Sequence, residues 1–133
     1  MNENLTVLIL EDEPLILLDL EFAGEDRDCR IVSTRNCSDA LARLSEDIDF
    51  DVAILDVSLG KGETCVPVAR ELTNQGIPFL LHTGDLNRHQ ERVRNLNAPI
   101  VPKPAASDAV IAAAIALCKD GDKGDDRMRY AAG

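Results

Sequence analysis

Short apolar runs alternate along the chain with stretches in which apolar residues recur every third or fourth position. The runs are LTVLIL (Leu5 to Leu10), RIVST (Arg30 to Thr34), the VAIL core of FDVAILD (Val52 to Leu55), IPFLLHT (Ile77 to Thr83) and PIVPK (Pro99 to Lys103). Runs of this length, unbroken by polar alternation, predict strands covered on both faces, and their alternation with helical patterns predicts a parallel sheet between two helical layers. The last run carries two prolines, Pro99 and Pro102, which remove ladder donors and place that strand at an edge of the sheet.

The helical stretches bring their own boundary signals. Pro14 opens PLILLDLEFAGED at a position where a missing N–H costs nothing, with Asp19, Glu21 and Glu25 for the solvent face. Ser38 is the expected N-cap of SDALARLSE, in which Ala40, Leu41 and Leu44 share a face. Glu63 to Asn74 is expected to be a helix closed by Gly76, Asn87 to Leu96 another, and SDAVIAAAIALC a last helix capped by Ser107. The remainder, KDGDKGDDRMRYAAG, mixes glycine and charge with few apolar residues and is expected to be a disordered tail.

At 133 residues, 45% of them hydrophobic, the chain suits one domain with one well-filled core. With 24 acidic against 14 basic residues its formal charge is -10, which argues against direct binding to nucleic acid or to anionic membranes. Cys29, Cys37, Cys65 and Cys118 form no CxxC pair, so neither a zinc site nor a disulfide scaffold is signalled; reduced, mostly buried thiols are expected. No apolar run approaches a membrane span and no secretory leader pattern opens the chain, so a cytoplasmic location is expected.

The candidate chemistry lies where the predicted strands end. In an open parallel sheet, functional groups gather beyond the carboxyl ends of the strands. Here those ends supply Glu11 and Asp12, Asp56, Thr83 and Lys103. Three carboxylates brought together repel unless a cation joins them, and a hard divalent ion such as Mg²⁺ suits oxygen donors while leaving positions for phosphoryl oxygens. Asp56 would then be a nucleophile toward phosphorus, with Lys103 and the metal absorbing charge and Thr83 donating to an oxygen.

These residues resemble those of the receiver domain of bacterial two-component response regulators, over about Leu5 to Cys118. LED at Leu10 to Asp12 is similar to the magnesium-binding acidic pair, ILD places Asp56 at the phosphoacceptor position, HTG places Thr83 at the switch hydroxyl, and PKP places Lys103 at the phosphate-binding lysine. The resemblance implies an α/β, flavodoxin-like (βα)5 fold, a doubly wound parallel sheet of order 2-1-3-4-5. It also implies Asp12 as a direct metal ligand, Glu11 acting through water, the backbone carbonyl of Ser58 as a further metal contact, and a cis bond before Pro104. Ser58 and Asp85 would flank the hydrolytic water. Residues 1–118 would form the receiver and 119–133 the tail, leaving a stand-alone regulator. Such a protein accepts a phosphoryl group from a histidine kinase or a histidine phosphotransfer protein and signals by binding another protein or drains phosphate. It is a phosphoacceptor and not an enzyme, with labelling by small donors and self-dephosphorylation open to it.

PFLLHTG also looks like the PFxFATG variant of single-domain receivers that serve HWE-type histidine kinases. The sequence departs from the family in having Ile100 where Tyr or Phe is common, SLGKG after the acceptor, and Ala105 after the Lys-Pro pair. Two rivals are a pseudo-receiver that binds without being phosphorylated and a small magnesium-dependent phosphatase, whose nucleophile would instead follow the first strand in a DxD pattern.

Several residues have plainer readings. Glu13 and Asp51 are expected to be caps or solvated turn acids. His82 should face away from Thr83 as a structural or exposed histidine, and His89 has no assigned role. GKGET lacks the glycine and hydroxyl spacing of a phosphate-binding loop. The last helix is apolar over more breadth than one sheet face covers, so the surface formed by the fourth helix, fifth strand and fifth helix is a candidate homodimer or partner face.

Overall fold

A computed structural model of the chain describes residues 4–84 and 95–118. Within them the elements run β1 (Thr6–Leu10), α1 (Pro14–Asp26), β2 (Arg30–Thr34), α2 (Cys37–Leu44), β3 (Val52–Leu55), α3 (Val66–Gln75), β4 (Phe79–Thr83) and β5 (Ile100–Pro102). A final helix covers residues 107–118. Most of the helix expected at Asn87 to Leu96, together with Asp85, His89 and the tail, lies outside the described residues.

All five strands are parallel, in the order β2-β1-β3-β4-β5. The expected sheet is therefore present, with the proline-bearing β5 at an edge and, among the described residues, paired to β4 alone. The apolar runs follow from what covers them. Leu8, Leu10, Ala53, Leu55, Phe79 and Leu81 pack under α2 and α3. Val7, Ile9, Val52, Ile54 and Leu80 pack under α1 and the final helix, which contributes Val110, Ile111 and Ala114. Alternate residues of each strand thus enter opposite layers, and neither face can be polar.

Local chemistry explains most boundaries. Pro14 begins α1, as its fixed φ and missing donor allow. Inside α1, a β-carbon at Gly24 would stand 2.5 Å from Ile31 Cδ1, so glycine lets this helix lie close on β2. Gly76 ends α3 at φ 72°, the left-handed cap its position predicts. Three boundaries differ from expectation. Asn36, not Ser38, caps α2 by accepting from the Asp39 amide at 2.8 Å. Helix α3 starts at Val66 instead of Glu63, with Pro67 in its first turn. The final helix already includes Ser107, and its first turn closes on Ala106, whose carbonyl accepts from Val110 N–H at 3.1 Å.

Cys29, Cys37 and Cys65 are buried and Cys118 is half-buried, and none of the four forms a disulfide, as expected. No described helix is long and apolar enough to cross a membrane. Asp51 is more than a solvated turn acid: its Oδ2 accepts from Thr6 N–H at 2.8 Å while its own N–H donates to the Thr6 carbonyl, which ties the start of β1 to the approach to β3.

Candidate functional site

Because β1 and β3 are neighbours at the centre of the sheet, their carboxyl ends deliver Glu11, Asp12 and Asp56 to one place. One oxygen from each of the three carboxylates lies within 4.8 Å of the others. Glu11 and Asp56 are buried, Asp12 half-buried. Backbone bonds fix the ends: Asp56 N–H donates to the Leu10 carbonyl at 2.9 Å and Glu11 N–H to the Thr34 carbonyl at 3.0 Å.

Lys103 arrives from the end of β5. Its Nζ is 3.1 Å from Glu11 Oε1 and 3.3 Å from Asp56 Oδ2, with Glu13 at 3.9 Å. Its own N–H donates to the Thr83 carbonyl at 3.0 Å, so the lysine is set directly against the end of β4. Thr83 itself is buried. Lys103 and Pro104 are joined by a cis peptide bond, as expected. Ser58 lies two residues past Asp56, bridged antiparallel to Thr64. Between them the chain turns through positive φ at Gly60, Lys61 and Gly62.

The electrostatics follow from burial. Burial and the nearby Glu11 carboxylate push the Asp56 carboxyl up to about 8, against the opposing pull of Lys103. Burial alone would lower the Lys103 ammonium, but Asp56 and Glu11 outweigh it and its pKa is raised. One lysine therefore holds together a pocket that carries more negative charge than it can neutralise. A divalent cation fits this donor set, since three converging carboxylate oxygens provide hard ligands and gain most from added positive charge.

The structure adds detail to two expectations. Glu13 stands at the N-cap position of α1 and is exposed, as expected, but its side chain makes no capping bond; its carboxylate faces Lys103, and its N–H donates to Glu11 Oε2 at 3.1 Å. Glu11 pairs directly with Lys103 in addition to any water-mediated role. His82 faces the opposite layer from Thr83, as expected, but it is fully buried and neither ring nitrogen has a hydrogen-bond partner. Desolvation, then the Lys103 charge, lowers it to about 4. Sequence reasoning missed Arg35, whose Nη2 donates to the Asp12 carbonyl at 3.4 Å.

A five-stranded parallel sheet with an acidic pocket and a lysine at the carboxyl ends of its strands defines the CheY-like, flavodoxin-type class of α/β protein. No protein-family model matches the chain, and no curated protein matches it. Solved structures do. SdrG from Sphingomonas melonis Fr1 is 40% identical, with a TM-score of 0.72 over 90% of this chain and 99% of that one. A response regulator receiver protein from Sinorhizobium medicae WSM419 superposes with a TM-score of 0.78 at 21% identity, over 90% of this chain and 98% of that one. A CheY-like receiver domain protein from Methanospirillum hungatei JF-1 gives 0.79 at 18% identity, over 91% and 98%. The chain belongs to the response regulator receiver family.

Proposed function

We propose that this protein is a single-domain response regulator that takes a phosphoryl group onto Asp56 in a Mg²⁺-dependent reaction. The observation that carries the reading is the convergence of Glu11, Asp12 and Asp56 within 4.8 Å, with Lys103 bonded to two of them. An Asp56 carboxylate oxygen attacks phosphorus, the bond from phosphorus to the donor's nitrogen or oxygen breaks, and the leaving group takes the electron pair. Asp12, Asp56 and the Ser58 carbonyl, with Glu11 behind them, would hold Mg²⁺, which supplies charge neutralisation for the phosphoryl oxygens.

Asp56 must be ionised to attack, and its raised pKa means that cation binding also releases the proton it would otherwise keep. Lys103 exchanges a carboxylate for a phosphoryl oxygen, and the Thr83 hydroxyl donates to another. Their backbone tie between Lys103 N–H and the Thr83 carbonyl makes β4 and β5 respond together. Ser58 and Asp85 tune hydrolysis of the acyl phosphate.

The donor would be a histidine kinase or phosphotransfer protein. Leu15, Leu18 and Phe22 support a protein partner near the pocket: they lie three and four residues apart on one face of α1, directly after the acidic pair, and are 76%, 43% and 59% exposed. A homodimer would use β5 and the final helix, where Ile100 and Ala116 are exposed.

Incubation with Mg²⁺ and acetyl phosphate, followed by intact mass measurement, tests the reading. One added phosphoryl group, absent in Asp56→Asn, is the expected result. Turnover of free phosphomonoesters would favour a phosphatase, and no labelling a pseudo-receiver.

A further inference from the structure

Beside the carboxylate trio, the loop before α2 and the loop after β3 enclose an open cleft of about 590 Å³. Asp12 forms one wall, and Arg35, Asn36, Leu59, Gly60, Lys61 and Glu63 form the rest. In a chain of net charge -10, two cationic side chains flank the approach to its most acidic pocket. Arg35 is anchored there by its bond to the Asp12 carbonyl, and the guanidinium stays exposed. Lys61 is held at φ 54° between two glycines with positive φ, a conformation a β-carbon disfavours, and it lines the same cleft. The cleft also carries two acids: Asp12 belongs to the carboxylate trio, and Glu63 stands near Cys37, whose thiol donates to the Thr64 carbonyl at 2.9 Å.

A phosphodonor is itself an anion, and three carboxylates repel it at distances where a single lysine, already bound to two of them, does not compensate. We propose that Arg35 and Lys61 form an anion-steering rim that draws the phosphoryl group of the donor over Asp12 toward Asp56, making both positioning residues for phosphoryl transfer. This rests on Asp56 being the phosphoacceptor.

The test measures the second-order rate of labelling by acetyl phosphate, with Mg²⁺ present, for wild type, Arg35→Ala, Lys61→Ala, the double variant and Arg35→Lys. The double variant is expected to be about tenfold slower at low ionic strength and to approach wild type near 1 M salt, where the screening length falls to about 3 Å. Arg35→Lys, which keeps the charge, is expected to retain most of the rate. Mg²⁺ affinity, measured by titration calorimetry, should be unchanged or tighter in the double variant, since removing cations beside a metal site favours the metal. Equal rates at low salt would overturn the proposal. So would a loss that persists at high salt or accompanies weaker Mg²⁺ binding, because Arg35 would then merely hold the Asp12 loop in place. Absence of labelling in wild type, or labelling that survives Asp56→Asn, would instead remove the phosphoacceptor reading.

Discussion

Replacing Asp56 by Asn removes one charge from the carboxylate trio and leaves the shape of the side chain nearly unchanged. Asp56 has an oxygen within 4.8 Å of both Glu11 and Asp12, and each such pair costs about 3.5 kcal/mol at an effective dielectric of about 20. Lys103 at 3.3 Å returns about 5 kcal/mol on the same scale. About 2 kcal/mol then stands against the ionised form before burial adds to it. Lys103 is not orphaned by the change, because Glu11 remains 3.1 Å from its Nζ. In chelator at pH 8, Asp56→Asn should therefore raise the melting temperature by about 5–10 °C for a domain of this size.

The pH dependence has a definite sign. The Asp56 carboxyl is raised from its ordinary 3.8 to about 8, so the folded state holds a proton that the unfolded state has released. Wild-type stability from this group is fully present below about 4 and is lost as pH rises through about 8, so the gap to the variant should open between pH 5 and 8. Differential scanning calorimetry in chelator across that range reads both effects. Adding Mg²⁺ to about ten times its dissociation constant should recover about 1.4 kcal/mol for wild type and less for the variant. A variant that melts at or below wild type in chelator, or a gap independent of pH, would show that these carboxylates do not share a pocket.

Other perturbations separate the parts of the account. His82→Leu removes two buried ring nitrogens without partners, so it should cost nothing or stabilise by about 1 kcal/mol in denaturant unfolding. Since His82 is depressed to about 4, wild type should also lose stability as pH falls from about 6.5 toward 4, a slope the Leu variant should lack. Lys103→Ala should reduce labelling by acetyl phosphate at least tenfold while leaving Mg²⁺ binding intact or tighter, as read by calorimetry. Phe22→Ala combined with Leu15→Ala should slow transfer from a phosphorylated kinase or phosphotransfer protein and leave labelling by acetyl phosphate unchanged. Ala112→Glu with Ala116→Glu should leave the melting temperature within a few degrees and weaken any self-association seen by analytical ultracentrifugation.

The strands were legible because burial on both faces writes itself as an uninterrupted apolar run, and Val52 to Leu55 carries that signature in four residues. Helix starts were less so. Asn36 and Ser38 are both able to cap, and only the bond to the Asp39 amide separates them. For α3, Pro67 was the available signal, since proline favours the first turn and would not sit deep in a helix begun at Glu63.

The positions of Asp12, Asp56 and Lys103 at strand ends could be read along the chain, but their distances depend on β1 lying beside β3 and on β5 lying outside β4, which no local pattern records. Glu13 shows the consequence. Its approach to Lys103 links residues ninety positions apart, and nothing near Glu13 distinguishes it from a solvated turn acid. Arg35 escaped for a similar reason, because a single arginine between a strand and a helix becomes notable only when Asp12 and Lys61 are seen around the same cleft.

The pocket is most directly tested by locating the phosphoryl group chemically. After labelling with acetyl phosphate, borohydride reduction converts an aspartyl phosphate to homoserine, and peptide mass mapping identifies the position. One homoserine at residue 56, formed with Mg²⁺ and abolished by chelator, is the predicted result. Reduction at any other carboxylate, or labelling indifferent to Mg²⁺, would contradict the assignment of these carboxylates to a shared metal and phosphate site.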